Sequence, residues 1–331
     1  MPRIVAANKE SIAEAAALLQ AGEIVVLPTE TVYGLGANAL ESDAVAKIFS
    51  AKKRPSFNPL IVHVLDKEAA SKLVEINDAA QKVIAAFWPG PLTLILPRKD
   101  KAGVSELVTA GLSTLAVRAP SHKVMREVMR AAGLPIAAPS ANCSGEPSAT
   151  TPQHAAQSLG EAVSYILAAG ACDVGLESTV LDLSGEVPVI LRPGAITAEN
   201  LEPYLGAVEM DVGAKDKPNT VIKSPGQLLK HYAPKIAVRL NAVDVQEGEA
   251  LLAFGSIKFM GLQSGGAVKN MSEESFRNLS EAGDLNEAAK NLFMMLRDLD
   301  KPSHKAIAVM NIPDSGIGLA INERLSRAAQ K

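Results

Sequence analysis

The chain has 331 residues, 47% of them hydrophobic and 21% charged, with a formal net charge of −3; that length accommodates about two domains with well-buried cores. The near-neutral balance excludes bulk electrostatic attraction to nucleic acid, so any nucleotide or RNA contact has to come from a local cluster of cations. The only two cysteines, Cys143 and Cys172, exclude a disulfide framework and a Cys-rich zinc site, and they fit a reducing compartment.

In chain order, Ser11 to Gln20 is alanine-rich with Ile12, Ala16 and Leu19 on one face, which predicts a helix stopped by Gly22. Glu14 interrupts its apolar run, so no signal peptide is expected, and no stretch approaches the ~20 apolar residues needed to span a bilayer. A cytoplasmic protein without membrane contact is the expectation. Glu23 to Leu27 predicts a strand ended by Pro28. Ser42 or Asp43 can cap the next helix, with the apolar stripe Val45, Ile48 and Phe49 and an end at Pro55. Leu60 to Val64 predicts a strand, Lys67 to Phe87 further helix, and Trp88 to Pro97 a turn that enters a strand.

Strands are also predicted at Thr114–Ala119, Leu134–Ala138, Ser164–Ala168, Ser178–Leu183 and Val187–Leu191. With roughly seven strands and four helices in mixed order before residue 205, the expected fold is a mixed sheet with helices. Residues 206–234 are rich in Gly, Pro, Lys and Asp and predict a linker, although SPGQLLKHYAP has more large side chains than a spacer needs. A smaller α/β unit follows over 235–331. It has strands at Ile236–Leu240, Ala250–Phe254 and Ala306–Met310, and helices at Leu285–Leu299 and Ile321–Ala329.

Three groups of residues could carry chemistry. Lys52, Lys53 and Arg54 stand at a helix C-terminus, where cations offset the helix dipole or grip phosphates. Arg118 and Arg192 lie in or at the end of apolar strands, so each either forms a structural ion pair or reaches a polar cavity. The strand end at Arg192–Pro193–Gly194 is where ligand sites of α/β sheets gather. His63 shares a strand face with Ile61 and is either a satisfied core residue or a ligand. Hydroxyl-rich loops follow or open three strands: Thr29 and Thr31 around Glu30; Ser140 and Asn142, with Ser144 and Ser148 beyond; and Glu177, Ser178 and Thr179. Each alone is ordinary turn chemistry, and the three together predict the floor of a polar pocket.

No GxxxxGK[ST] phosphate loop, HExxH zinc motif or GxSxG elbow is present. Gly316 to Gly318 lies between a strand and a helix, but Ile321 stands where a dinucleotide fingerprint needs its third glycine.

Taken together, PTETVYGLG from Pro28, KKRP from Lys52, NPLIVHV from Asn58, WPGPLTLIL from Trp88, VRAP from Val117, APSAN from Ala138, ESTVLD from Glu177 and ILRPG from Ile190 resemble the YrdC/Sua5 family, the threonylcarbamoyl-AMP synthases. SPGQLLKHYAP from Ser224 and the second unit resemble the longer, two-domain Sua5 form. The resemblance implies an α/β fold: a YrdC-like twisted mixed sheet with helices around a large cavity over 1–205, a linker folding over the site over 206–234, and a small Rossmann-like domain over 235–331. It implies synthesis of L-threonylcarbamoyl-adenylate and pyrophosphate from L-threonine, bicarbonate (or CO2) and ATP. The product would supply the t6A base next to the anticodon, after hand-over to a separate tRNA transferase.

Residue by residue, the resemblance implies that Thr31, His63, Arg118, Ala138 and Ser178 contact threonine. Arg54, Asn58, Thr114, Ser140, Ser148 and Arg192 would hold ATP, with Lys52 beside the phosphates and Tyr232 closing from the linker. Lys52 and Arg54 would be the catalytic cations. Mg²⁺ would arrive with ATP, and no protein metal site is expected. Two other readings are a non-catalytic RNA- or nucleotide-binding module of the same family and a carbamoyl-adenylate enzyme of the hydrogenase-maturation type. The low charge and the 4% aromatic content count against the first, and the lack of further domains against the second.

Overall fold

The computed structural model describes residues 2–211, 231–258, 261–262, 268 and 271–330. The predicted linker therefore lies mostly outside the described residues, including its SPGQLLK stretch; only 206–211 and 231–234 are described.

The first unit is one eleven-stranded sheet. Its strands are β1 (Arg3–Ala6), β2 (Val25–Leu27), β3 (Gly34–Asn38), β4 (Ile61–His63), β5 (Leu92–Pro97), β6 (Thr114–Arg118), β7 (Ile136–Ala137), β8 (Tyr165–Ala168), β9 (Thr179–Asp182), β10 (Val189–Arg192) and β11 (Glu209–Met210). They lie in the order β1-β8-β2-β3-β7-β4-β6-β5-β9-β10-β11. Parallel pairs (β4 with β6, β5 with β9) alternate with antiparallel ones (β5 with β6, β9 with β10), so the sheet is mixed as expected. It runs past residue 205, because β11 pairs with β10.

Helices α1 (Lys9–Gln20), α2 (Ser42–Lys52), α3 (Lys67–Ser71), α4 (Asp78–Phe87), α5 (Glu106–Thr109), α6 (Lys123–Ala132), α7 (Pro152–Leu159) and α8 (Ala198–Leu205) accompany it. Helix α1 begins two residues earlier than Ser11, because Asn8 caps it: Ser11 N–H donates to the Asn8 side chain and Asn8 N–H to Ser11 Oγ. The cap expected at Ser42 or Asp43 is not formed. Glu41 is the N-cap residue without a side-chain bond, and Ser42 Oγ meets Ser105 Oγ at 2.9 Å instead. Strand β3, GLGAN, escaped the periodicity because glycine carries no apolar signal. Its glycines serve close packing: a Cβ on Gly36 would stand 3.0 Å from both Ile136 and Leu27.

The second unit holds β12 (Ala237–Arg239), β13 (Asp244–Val245), β14 (Glu249–Ala253), β15 (Gly261–Leu262), β16 (Phe276–Asn278) and β17 (Ala306–Val309), with α9 (Leu285–Leu299) and α10 (Ile317–Ala328). Four strands form a parallel sheet in the order β12-β17-β14-β16. Ala250, Leu252, Ile307 and Val309 face α9 and α10, while Leu251, Ala253 and Ala308 face the β13 side. Burial on both faces is what a parallel sheet requires. Helix α10 starts four residues before Ile321, with Gly316 as its N-cap residue. Gly318 is a packing residue, since a Cβ there would lie 2.0 Å from Pro313 O.

The helical face of this unit seals against the first one. Val32 and Leu176 join the apolar cluster of α9 and α10. At Gly175, whose φ is +76°, a Cβ would lie 2.4 Å from the backbone oxygen of Lys290 on α9. Only glycine permits both that torsion and that approach.

Candidate active site

One cavity gathers the strand ends at the centre of the main sheet. Its empty space amounts to about 520 Å³, part of which is open solvent. Thr29, Thr31 and Val32 reach it from the loop after β2, and Ile61 and His63 from alternate positions of β4. Arg118 enters at the end of β6, Ala138 to Ser140 after β7, Glu177 and Ser178 before β9, and Arg192 at the end of β10. Arg54 comes from the α2 end, and His231 and Tyr232 from the described end of the linker. Strand pairing fixes part of this set, because His63 is the register partner of Arg118 on β6 and of Ile136 on β7.

At one end, Arg118 Nη2 lies 2.7 Å from Glu30 Oε1, with both side chains almost wholly buried. Arg118 Nη1 donates to Thr31 Oγ1 at 2.9 Å and Nε to Gly90 O at 3.1 Å. The WPGP turn delivers that carbonyl; a Cβ on Gly90 would lie 2.4 Å from Phe87 O. Burial works against the Glu30 charge, but Arg118 outweighs it and holds the carboxyl below its usual range. Burial, then Arg118, pushes His63 down to about 3, so its imidazole is neutral at pH 7. His63 Nδ1 has no hydrogen-bond partner among the described residues.

At the other end stand Arg54 and Arg192. Arg54 donates to Asn58 O at 3.2 Å and Pro59 O at 2.9 Å. Burial lowers its pKa to about 9, with Arg192 a further repulsive neighbour, so it stays charged at pH 7. Arg192 donates from Nε and Nη2 to Ser178 O, at 3.1 and 2.9 Å, and from Nη2 to Ser178 Oγ at 3.1 Å. Thr93 Oγ1 meets the same hydroxyl at 2.7 Å. The Pro-Gly after Arg192 brings the chain against β9: a Cβ on Gly194 would lie 2.4 Å from Thr179 N. Lys52 is buried just behind, and its Nζ donates to Ser140 O and Asn142 O. Burial, then Arg54, lowers the Lys52 ammonium to about 7.

The predicted residues thus separate into three sets. Thr31, Arg54, His63, Arg118, Ala138, Ser140, Ser178, Arg192 and Tyr232 line the cavity. Lys52, Asn58 and Ser148 are buried behind its wall; Ser148 donates to Glu177 Oε1, and the Asn58 amide has no partner among the described residues. Thr114 is apart, at the start of β6, four residues and about 13 Å along the strand from Arg118.

Glu177, expected in one of the three pocket-floor loops, does line the wall. Sequence reasoning missed two contributors. His231 stacks edge-on against Tyr232 at 4.0 Å. Arg324 of α10 is fully enclosed and donates to Glu177 Oε2 at 3.2 Å and to Pro193 O at 2.8 Å. Its one legible signal is position: it follows Ile321 by three residues, on the apolar stripe of the helix. Among the described residues no three His, Cys, Asp or Glu side chains cluster to hold a metal ion, and Glu30 and Glu177, the carboxylates at the two ends of the cavity, each face an arginine. No helix among the described residues is long and apolar enough to cross a membrane.

Comparison with known proteins agrees with this geometry. A family profile described as "Telomere recombination", of the Sua5/YciO/YrdC group, matches residues 17–194. A second, described as "Threonylcarbamoyl-AMP synthase, C-terminal domain", matches residues 196–330. The threonylcarbamoyl-AMP synthase of Bacillus subtilis is 41% identical over 97% of this chain and 94% of its own length. The crystal structure of Pyrococcus abyssi Sua5 complexed with L-threonine superposes with a TM-score of 0.86 at 35% identity, covering 99% of this chain and 97% of that one. A variant of the same P. abyssi protein, with a histidine and the adjacent tyrosine both changed to alanine, superposes with a TM-score of 0.85 at 34% identity, covering 99% of this chain and 96% of that one. With both profiles matched in order and relatives aligned nearly end to end, the chain belongs to the two-domain Sua5 family of threonylcarbamoyl-AMP synthases.

Proposed function

We propose that this protein makes L-threonylcarbamoyl-AMP and pyrophosphate from L-threonine, bicarbonate or CO2, and ATP, for the t6A modification of tRNA. The observation that carries the reading is one cavity with two unlike ends. A neutral His63 stands beside Arg118 and Thr31 at one end, and Arg54 and Arg192 stand at the other. The first end suits an amino acid: the guanidinium of Arg118 matches a carboxylate, with Thr31, His63 and Ala138 around it and Ser178, held by Arg192, reaching in from the second end. A hydroxyl environment there would reject analogues that lack threonine's hydroxyl, since a buried polar group would be left unpaired. The second end suits a polyanion, held by Arg54, Arg192 and Ser140, with Lys52, Asn58 and Ser148 behind them and Tyr232 in the wall. The non-catalytic alternative gains nothing from the relatives, which are synthases by name.

The chemistry needs no protein nucleophile. Threonine's amine adds to CO2 and loses a proton to give a carbamate. A carbamate oxygen attacks the α-phosphorus of ATP, and pyrophosphate leaves with the electron pair of the broken P–O bond. The protein's part is positioning and charge stabilisation by Lys52, Arg54 and Arg192. ATP would enter as its Mg²⁺ complex, with the phosphates as the cation's ligands, since the buried carboxylates Glu30 and Glu177 are each engaged by an arginine. A closed cavity also keeps water from the labile carbamate and adenylate. We place the enzyme in the cytoplasm and its product in the hands of a tRNA transferase.

The test is incubation with ATP, L-threonine and bicarbonate, reading pyrophosphate and identifying the adenylate by mass. Threonine-dependent pyrophosphate with the threonylcarbamoyl-AMP mass is expected. Pyrophosphate release indifferent to threonine, or a carbamoyl-AMP mass, would overturn the assignment.

A further inference from the structure

We infer that Arg324, supplied by the C-terminal unit, is a positioning residue of the nucleotide half-site: it makes the wall carboxylate Glu177 compatible with a bound triphosphate and braces Tyr232 beside it. The inference rests on reading this end of the cavity as the ATP site.

Glu177 is the difficulty that Arg324 resolves. It lines the cavity, is buried, and directly precedes Ser178, whose carbonyl and hydroxyl hold Arg192. A bare carboxylate here would repel every phosphate that Arg54 and Arg192 attract. Burial pushes the Glu177 carboxyl up, but Arg324 first and Arg192 second, with the Ser148 hydroxyl, hold it below its usual range, so it stays an anion. Its charge must therefore be balanced and not protonated away.

Arg324 does this from outside the main sheet. Its guanidinium reaches Glu177 Oε2, Pro193 O and Glu323 Oε2, and its carbon lies 5.6 Å from the Tyr232 ring centroid. One side chain thus meets the carboxylate, the segment that follows Arg192, and the buried aromatic ring of the cavity wall. A contact serving only to glue two units together has no reason to sit on a cavity wall. Here the carboxylate it engages shares its other oxygen with Ser148, a residue behind the nucleotide end. Arg297 of α9 grips the same region, donating to Pro147 O and, at 3.4 Å, to Ser148 O. The second unit thereby supplies side chains to the Glu177 side of the cavity wall.

The test compares full-length Arg324→Met, Arg324→Lys and Arg324→Met combined with Glu177→Gln. The readouts are calorimetric affinity for α,β-methylene-ATP, KM for ATP and for threonine, and Tm. Arg324→Met is expected to weaken the analogue and raise KM for ATP at least tenfold, with KM for threonine within twofold. Glu177→Gln is expected to restore at least half of that loss on a logarithmic scale, because it removes the stranded charge. Arg324→Lys is expected to cost about two- to fivefold for ATP alone, and this milder change keeps the test open if Arg324→Met does not fold. Wild-type affinity in Arg324→Met, equal losses for both substrates that follow Tm, no rescue by Glu177→Gln, or in that fallback an unchanged ATP affinity in Arg324→Lys would each overturn the inference. Because the analogue reports binding without turnover, failure of the wild type to make threonylcarbamoyl-AMP would sink the functional reading and leave the Arg324 measurement intact. A wild type that binds no nucleotide would sink both.

Discussion

Two buried carboxylate–arginine pairs flank the cavity, and they are built differently. Glu30 and Arg118 both belong to the main sheet unit, one from the loop after β2 and one from the end of β6. Glu177 and Arg324 come from different units and meet only when α10 is docked. In both pairs burial pushes the carboxyl up, and the arginine together with nearby hydrogen-bond donors (and, for Glu177, Arg192) brings it below its usual range. The contrast teaches that the Glu30–Arg118 pair is supplied by one sheet unit alone, whereas the Glu177–Arg324 pair is shared between two parts of the chain.

The largest expected effect comes from breaking the sheet-built pair. Arg118→Ala leaves Glu30 buried without its cation, at a cost of about 3–5 kcal/mol, and removes the proposed carboxylate fork. Denaturant unfolding should show that loss, and kcat/KM for threonine should fall more than 100-fold. A stable variant with normal threonine use would erase the distinction between the two ends. Next, Arg192→Ala should raise KM for ATP about 10- to 100-fold, the scale of one or two lost charged hydrogen bonds, and change KM for threonine little. Equal effects on both substrates would mean that the cavity has one end and not two.

A smaller effect concerns acid. Burial holds His63 and His231 each at about 3, against 6.5 when exposed. The unfolded chain then binds a proton that the native chain does not, so stability is full above pH 6.5 and falls as pH drops from 6.5 toward 3, by up to about 1.4 kcal/mol per pH unit per histidine. In His63→Gln that contribution is missing, so its Tm deficit should shrink between pH 7 and 5, and His231→Gln should behave alike at the other end. A deficit independent of pH would show that these rings are not held neutral. The smallest change is a control on the comparison. Asn8→Ala removes the α1 cap, which lines no part of the cavity, and should cost about 1 kcal/mol by thermal unfolding while leaving both KM values unchanged.

Much of the sheet was legible because its strands are β-branched runs ended by proline or glycine, as at Val25–Leu27 and Thr114–Arg118. β3 was not, because Gly34 and Gly36 are chosen for what their neighbours need. Helix starts at Asn8 and Gly316 were also missed, since a cap lies outside the apolar stripe that periodicity detects. In the cavity, Arg118 and Arg192 stood out as charges inside apolar strands, and the resemblance to a family raised His63 from one of two readings to a wall residue. Arg324 had no such context. Its partner Glu177 is 147 residues away in sequence, and spacing along one chain carries no information about a contact made across two units.

The backbone approach at Gly175 has a consequence for shuffling such proteins. With no room there for even a methyl group against Lys290, the seam between the units has a fixed fit and not an adaptable one. A chimera that joins this sheet to the C-terminal half of a relative would inherit two surfaces cut from different moulds. It would recover a working seam only if the loop carrying the glycine and the helix facing it came from the same parent. The second unit is in that sense an heirloom of its own sheet and not a spare part.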